Sequence, residues 1–226
     1  MTVTRLKSLH PETEFGPSWD IPIYHSTWND EKVGKIKKWL IQNEKTFLDL
    51  PARHDAATGL GEDSVTSRFG QYNLFDYRDN LPELEDLLNF FRWSYINFIQ
   101  EEQSFCRDLD IVCWFNLLRC GEEIKEHNHG AGHDVYLSGN MHLDNYSTCT
   151  YYVSPFDDNI KYPFLNKKGC LTIFPTYVSH GATKFEEQAL RLSIAFDLKL
   201  KGIDREMNSI EFMNKEIYES MCNVPE

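Results

Sequence analysis

The chain has 226 residues with 41% hydrophobic and 14% aromatic content, enough apolar material for one sizeable buried core and too much for a disordered chain. Its formal net charge of −12 disfavours non-specific binding to nucleic acid or anionic membranes. No apolar run approaches the roughly 20 residues that span a bilayer.

The first residues, MTVTRLKSLHPETE, hold no apolar stretch of the kind a secretory leader needs. Six cysteines are scattered without a C-x-x-C pair and read as reduced, buried small hydrophobes. Together these features predict a cytoplasmic protein, in a reducing compartment. The first hundred residues read as loops and helices. Asn29 or Asp30 can cap a helix running to about Leu50, with Val33, Ile36, Leu40 and Phe47 on one stripe. The basic cluster KVGKIKK (32–38) is the solvated face of that helix. Residues 51–80 are polar, glycine-containing and aperiodic, and too long for a plain connection. Within them SRFGQYN (67–73) suits a lid, with Arg68, Gln71 and Tyr72 as candidate substrate contacts. Pro82 fits a first helical turn, and Leu84, Leu87, Leu88, Phe91, Tyr95 and Phe98 give 82–104 a broad apolar face.

Near residue 110 the period changes from 3.6 to 2. IVCWFNLL (111–118), VYLSGNMHL (135–143), CTYYVSP (149–155), GCLTIFP (169–175) and RLSIAFDL (191–198) are short, rich in aromatic and β-branched residues, and bounded by turn formers. In the last, Leu192, Ile194, Phe196 and Leu198 share one face, and Arg191, Ser193, Ala195 and Asp197 the other. The tail, 207–222, returns to helical spacing through Ile210, Met213, Ile217 and Met221. Helices followed by many short strands predict an α+β chain with a sandwich or barrel. No repeat or linker divides it. A single domain over 1–226 is expected, with a helical and loop flank (1–108), a barrel core (109–200) and a helical tail (201–226).

Four of the eight histidines fall within HNHGAGHDVYLSGNMHLD (127–144), and a fifth, His180, ends FPTYVSH. Two histidines at i and i+2 face one way on an extended segment, and a jelly roll brings a distant third ligand beside them. Such facial sets hold non-haem iron and leave positions open. Three pairs could join His180: His127/His129, His142/Asp144, or a pair using His133 or Asp134.

The C-terminal half resembles the 2-oxoglutarate/Fe(II)-dependent dioxygenases, particularly their prolyl-hydroxylase-like branch with bacterial and phage members. The resemblance rests on WFNLLRCG (114–121), His127 six residues after that glycine, LSGNMHL (137–143), GCLTIFPTYVSH ending at His180, and R-x-S (Arg191, Ser193) eleven residues later. It covers roughly residues 110–200. It implies a double-stranded β-helix, or jelly roll, flanked by N-terminal helices and a short C-terminal helix, and an enzyme using Fe(II), 2-oxoglutarate and O₂. By the same pattern His180 is the distal metal ligand, Arg191 and Ser193 hold the far carboxylate of the oxo acid, and Asn116, Leu118 and His142 line its pocket. The implied reaction is hydroxylation of a C–H bond, on a prolyl or other protein residue or on a small molecule, with release of succinate and CO₂. The partners are thus the oxo acid and one substrate; nothing in the chain indicates an oligomeric state.

The chain departs from the usual H-x-D or H-x-E, since the aligned motif reads His127-Asn128-His129. Strand counting favours His127 and His129 over His142 and Asp144, on the premise that the Pro-, Asp- and Lys-rich 156–168 supplies no strand. Asp144 and Asp134 stand as alternative carboxylate ligands, and the loop residues His133 and Asp134 as alternative substrate contacts. Two rival functions carry distinct expectations: a three-histidine cupin-type dioxygenase without 2-oxoglutarate, which Arg191-x-Ser193 argues against, and a non-catalytic jelly-roll binding module.

Overall fold

The computed structural model describes residues 2–130, 135–202 and 207–223. In chain order its elements are β1 (Thr2–Lys7), β2 (Asp20–Thr27), α1 (Lys32–Gln42), α2 (Glu44–Leu48), α3 (Glu83–Glu101), β3 (Leu109–Leu118), β4 (Ile124–His127), β5 (Val135–His142), β6 (Cys149–Ser154), β7 (Asp157–Leu165), β8 (Cys170–Pro175), β9 (His180–Ala182), β10 (Arg191–Leu200), β11 (Ile210–Met213) and α4 (Lys215–Cys222). Seven strands form a major antiparallel sheet in the order β1-β2-β8-β5-β10-β3-β11, and four form a minor sheet, β4-β9-β6-β7. The fold is the expected mixed helix-and-sheet jelly roll.

The period-2 pattern of β10 explains how the layers assemble. Leu192, Ile194, Phe196 and Leu198 are all buried in the main apolar cluster shared with the helices. The Phe196 ring packs against Phe91 of α3 with the ring centres 4.6 Å apart. A Cβ on Gly139, its partner residue on β5, would fall 2.3 Å from the Phe196 ring, so only glycine fits there. The alternate residues of β10 point the other way and form the floor of a cavity between the two sheets. Register then places polar neighbours on that floor. Ser193 pairs with Asn116 on β3 and His142 on β5, Ala195 with Trp114 and Asn140, and Asp197 with Ser138 on β5.

Several expectations are corrected. The N-terminal flank is not only loop and helix, because β1 and β2 extend the major sheet through β8. In β1 only Leu6 is buried, so no alternation signals a strand. The first helix breaks at Asn43, whose side-chain amide donates to the Trp39 carbonyl at 2.9 Å and competes with the backbone ladder. Residues 157–165 do form a strand, β7, paired with β6. As an edge strand with every residue partly or fully exposed, and with Pro163 in it, it lacks an apolar period. The strand count used to favour His127 and His129 therefore rested on a false premise. The tail holds a short strand, β11, before its helix, with Phe212 and Met213 buried against the major sheet. Among the described residues, no helix is long and apolar enough to cross a membrane.

Candidate metal and oxo-acid site

Three histidines converge at one end of the inter-sheet cavity. His127 ends β4 and pairs directly with His180 at the start of β9, and His129 follows two residues after His127. One ring nitrogen from each lies within 4.8 Å of the other two, and the His127 and His129 Nε2 atoms are 3.4 Å apart. A facial set of imidazoles on one ion brings its nitrogens to about 3 Å, a small contraction from these separations.

The other nitrogen of each ring is already committed. The Lys125 carbonyl accepts from His127 Nδ1 at 2.8 Å, the Val178 carbonyl from His180 Nδ1 at 3.0 Å, and the Asp197 carboxylate from His129 Nδ1 at 2.6 Å. These partners fix the tautomers so that each Nε2 lone pair is free for a metal. Burial, reinforced by the neighbouring His129, lowers His127 to about 4. Burial and the two other imidazoles hold His180 well below the usual histidine range. Both are thus neutral at neutral pH, as coordination of a metal would require. The donor set fits a divalent transition metal.

At the other end lies Arg191, only 1% exposed, whose Nε and Nη1 have no hydrogen-bond partner among the described residues. Burial lowers it to about 10, so it remains protonated. A buried, unpaired guanidinium is costly, and it marks a place where an anion binds. Around it the cavity is lined by Ser193, Asn116, His142, Thr150 and Asn140, and the lining includes no carboxylate among the described residues. His142 is kept neutral by burial and by the Arg191 charge. Its Nε2 lies 3.3 Å from Thr150 Oγ1, and its Nδ1 is buried without a partner. The Thr66 hydroxyl donates to Asn116 Oδ1 at 2.9 Å, orienting that amide. A cation at one end, a three-nitrogen ligand set at the other and unpaired polar atoms between them suit a small dianion that chelates a metal.

The remaining candidates are placed elsewhere. Asp144 lies outside the histidine cluster, with its carboxylate 2.6 Å from Lys37 Nζ. Leu118 is buried against Ile124 and Ala182, behind the cavity wall rather than in its lining. The 51–80 segment does reach the cavity, through Ala56, Thr58, Thr66 and Phe69. The side chains singled out there do not. Arg68 is buried and donates to the carbonyls of Leu48, Leu50, Glu62 and Ser64, which holds the loop closed. Tyr72 is buried against Phe47, with its hydroxyl accepting from the Phe115 amide. Gln71 is absent from the lining and its carbonyl accepts from Asn208. His133 and Asp134 lie outside the described residues.

Sequence reasoning missed Thr66, Thr150, Asn140 and Trp114 as lining residues and gave Asp197 no role. Asp197 was visible in the alternation of β10, on the face shared with Arg191 and Ser193. The two threonines carried no local signal, since an isolated threonine is ordinary in a loop or strand.

Comparison with known proteins agrees with this geometry. The family described as "Putative 2OG-Fe(II) oxygenase" matches residues 112–197, from the middle of β3 to Asp197 on β10. No curated protein matches the chain in sequence. Among solved structures, a Pseudomonas putida prolyl-4-hydroxylase aligns at a TM-score of 0.54 and 12% identity, covering 80% of this chain and 93% of its own. The α-ketoglutarate-dependent carbocyclase SnoK from nogalamycin biosynthesis aligns at 0.56 and 10% identity, covering 90% and 87%. HygX from Streptomyces hygroscopicus, solved with iron bound, aligns at 0.50 and 11%, covering 80% and 82%. These alignments show a shared fold. With the family match over residues 112–197, they place the chain in the jelly-roll class on which such oxygenases are built. The matched segment spans the strands from β3 to β10 and includes the three clustered histidines, and it is similar to the 2-oxoglutarate/Fe(II) oxygenases.

Proposed function

We propose that His127, His129 and His180 hold the iron, and that Arg191, assisted by Ser193, receives the far carboxylate of 2-oxoglutarate. The reaction would be hydroxylation of a C–H bond. The observation that carries this reading is the buried Arg191, with two unpartnered donors, in the same cavity as three inward-facing imidazoles. When bound, the iron and oxo acid supply the redox chemistry, in which oxidative decarboxylation to succinate and CO₂ accompanies oxygen insertion.

The protein's own contributions are binding, orientation and exclusion of water. Arg191 offers a planar fork that pairs two donors with one carboxylate in a dry pocket. His142, neutral and buried, can donate one hydrogen bond, and Asn116 is oriented by Thr66. Trp114 and Phe69 wall the metal end of the cavity, where a substrate would enter. The substrate would be a prolyl or other protein residue, in line with the prolyl-4-hydroxylase likeness, or a small molecule, in line with the likeness to SnoK, a carbocyclase from nogalamycin biosynthesis.

The buried guanidinium also argues against a cupin-type dioxygenase that takes no oxo acid, since such an enzyme would leave a buried charge unpaired. The test is turnover of 2-oxoglutarate by the iron-loaded protein in air, read as succinate formed. Succinate formation that needs Fe(II) and stops in Arg191→Met supports the reading. Oxygen uptake without 2-oxoglutarate would overturn it.

A further inference from the structure

We propose that Asp197 supplies this metal centre with the negative charge its three-histidine ligand set lacks, delivered through His129. The inference rests on the metal reading above and adds a positioning residue that is not itself a ligand.

The three histidines are not equivalent. His127 and His180 each donate to a neutral backbone carbonyl, whereas His129 alone donates to a carboxylate, at 2.6 Å. Asp197 is 9% exposed and sits on β10 directly behind the ring. The Ser138 hydroxyl donates to the same Asp197 oxygen at 2.6 Å and lies 3.1 Å from His129 Nδ1. Cross-strand pairing of Ser138 with Asp197 fixes this arrangement from the backbone. A full negative charge on the Nδ1 proton pushes electron density toward Nε2, so His129 becomes a stronger donor than the other two. His129 also occupies the second position of the H-x-H motif, where a carboxylate ligand stands in an H-x-D motif.

The charge count makes the point. Three neutral imidazoles leave the site of a divalent ion at +2, and one carboxylate in contact with the metal brings it to +1. A carboxylate one ring further out restores the same total while leaving the inner set all nitrogen. Asp197 also lines the outer groove together with Trp114, Phe69, His54 and Lys199.

The test is Co(II) binding to the metal-free full chain without any oxo acid, so that it reads the metal centre independently of 2-oxoglutarate chemistry. Four proteins form a cycle: parent, Asp197→Asn, His129→Asp and the double variant. Asp197→Asn should weaken Co(II) binding about 10–100-fold, the usual effect of losing such an outer carboxylate. In the double variant the carboxylate introduced at position 129 would become a direct ligand and replace the missing charge, so its affinity should recover above either single variant. The non-additivity is the signature of charge transferred from one shell to the other. If the double variant binds no more tightly than the singles, Asp197 is only structural and the proposal fails. Should Asp197→Asn not fold, Ser138→Ala serves instead. It removes a competing donor to the same carboxylate oxygen and should leave Co(II) affinity equal or tighter, whereas a marked weakening would overturn the proposal.

Discussion

Replacing Arg191 by methionine should separate stability from function in a way few other substitutions can. The guanidinium is buried, and its Nε and Nη1 meet no acceptor among the described residues. In the ligand-free protein that charge is a burden, so Arg191→Met should stabilise the fold by on the order of 1–4 kcal/mol, as when a buried ionic group gives way to an apolar one. For a chain of this size each kcal/mol corresponds to roughly 2–4 °C in Tm. With Mn(II) and 2-oxoglutarate the parent alone gains. Loss of one partner of a buried charge pair costs about 2–5 kcal/mol, or roughly 30- to 4,000-fold in 2-oxoglutarate affinity. At a 2-oxoglutarate concentration about 100 times its Kd, the parent gains about 2.7 kcal/mol of stability that the variant does not. The assay is thermal melting with and without the oxo acid, supported by equilibrium titration. Arg191→Lys keeps the charge without the fork and should fall between the two. The reasoning is refuted if Arg191→Met melts lower than the parent without ligand and still responds to 2-oxoglutarate as the parent does.

Other consequences are equally direct. His180→Ala should abolish stoichiometric binding of Fe(II) or Co(II), because it removes one of three inward nitrogens; elemental analysis after dialysis checks it. Thr66→Val strips Asn116 Oδ1 of its buried donor, and should raise the KM for 2-oxoglutarate by several-fold with a smaller change in kcat, measured as succinate formation. Gly139→Ala drives a methyl into the Phe196 ring and should destabilise the fold by about 1–3 kcal/mol in urea unfolding. Burial lowers His25, stacked on Phe164, from 6.5 to about 4. Its neutral form is favoured by folding, so stability is intact above about pH 6.5 and falls as the unfolded chain takes up the proton between about 6.5 and 4. The acid slope of the metal-free protein should therefore be shallower in His25→Gln, by up to about 1.4 kcal/mol per pH unit; an unchanged slope would contradict the assignment.

How much of this was legible in the sequence depended on burial. Strands with one buried face declared themselves, and the β10 alternation alone separated the apolar backing from the opposite face that carries Arg191, Ser193 and Asp197. Edge strands did not. β1 and β7 bury too little for a period to form, and the error over residues 157–165 undermined the strand count on which the ligand choice leaned. His127, His129 and His180 are brought together by the pairing of β4 with β9, a relation between segments over fifty residues apart that no local pattern encodes. In the 51–80 loop the sequence pointed to the right segment and the wrong side chains. Arg68 looks like a substrate contact because arginines often are, but its donors are consumed by four backbone carbonyls of its own loop and the preceding helix end. The outer partners of His127 and His180 left no trace in the sequence, since both are backbone carbonyls.

The most direct test of the account is a crystal structure of the protein with Mn(II) and 2-oxoglutarate. The account predicts one metal on the Nε2 atoms of His127, His129 and His180, with Asp197 still on His129 Nδ1 and the far carboxylate of the oxo acid on Arg191. A metal held by Asp144, or an oxo acid bound away from Arg191, would contradict it.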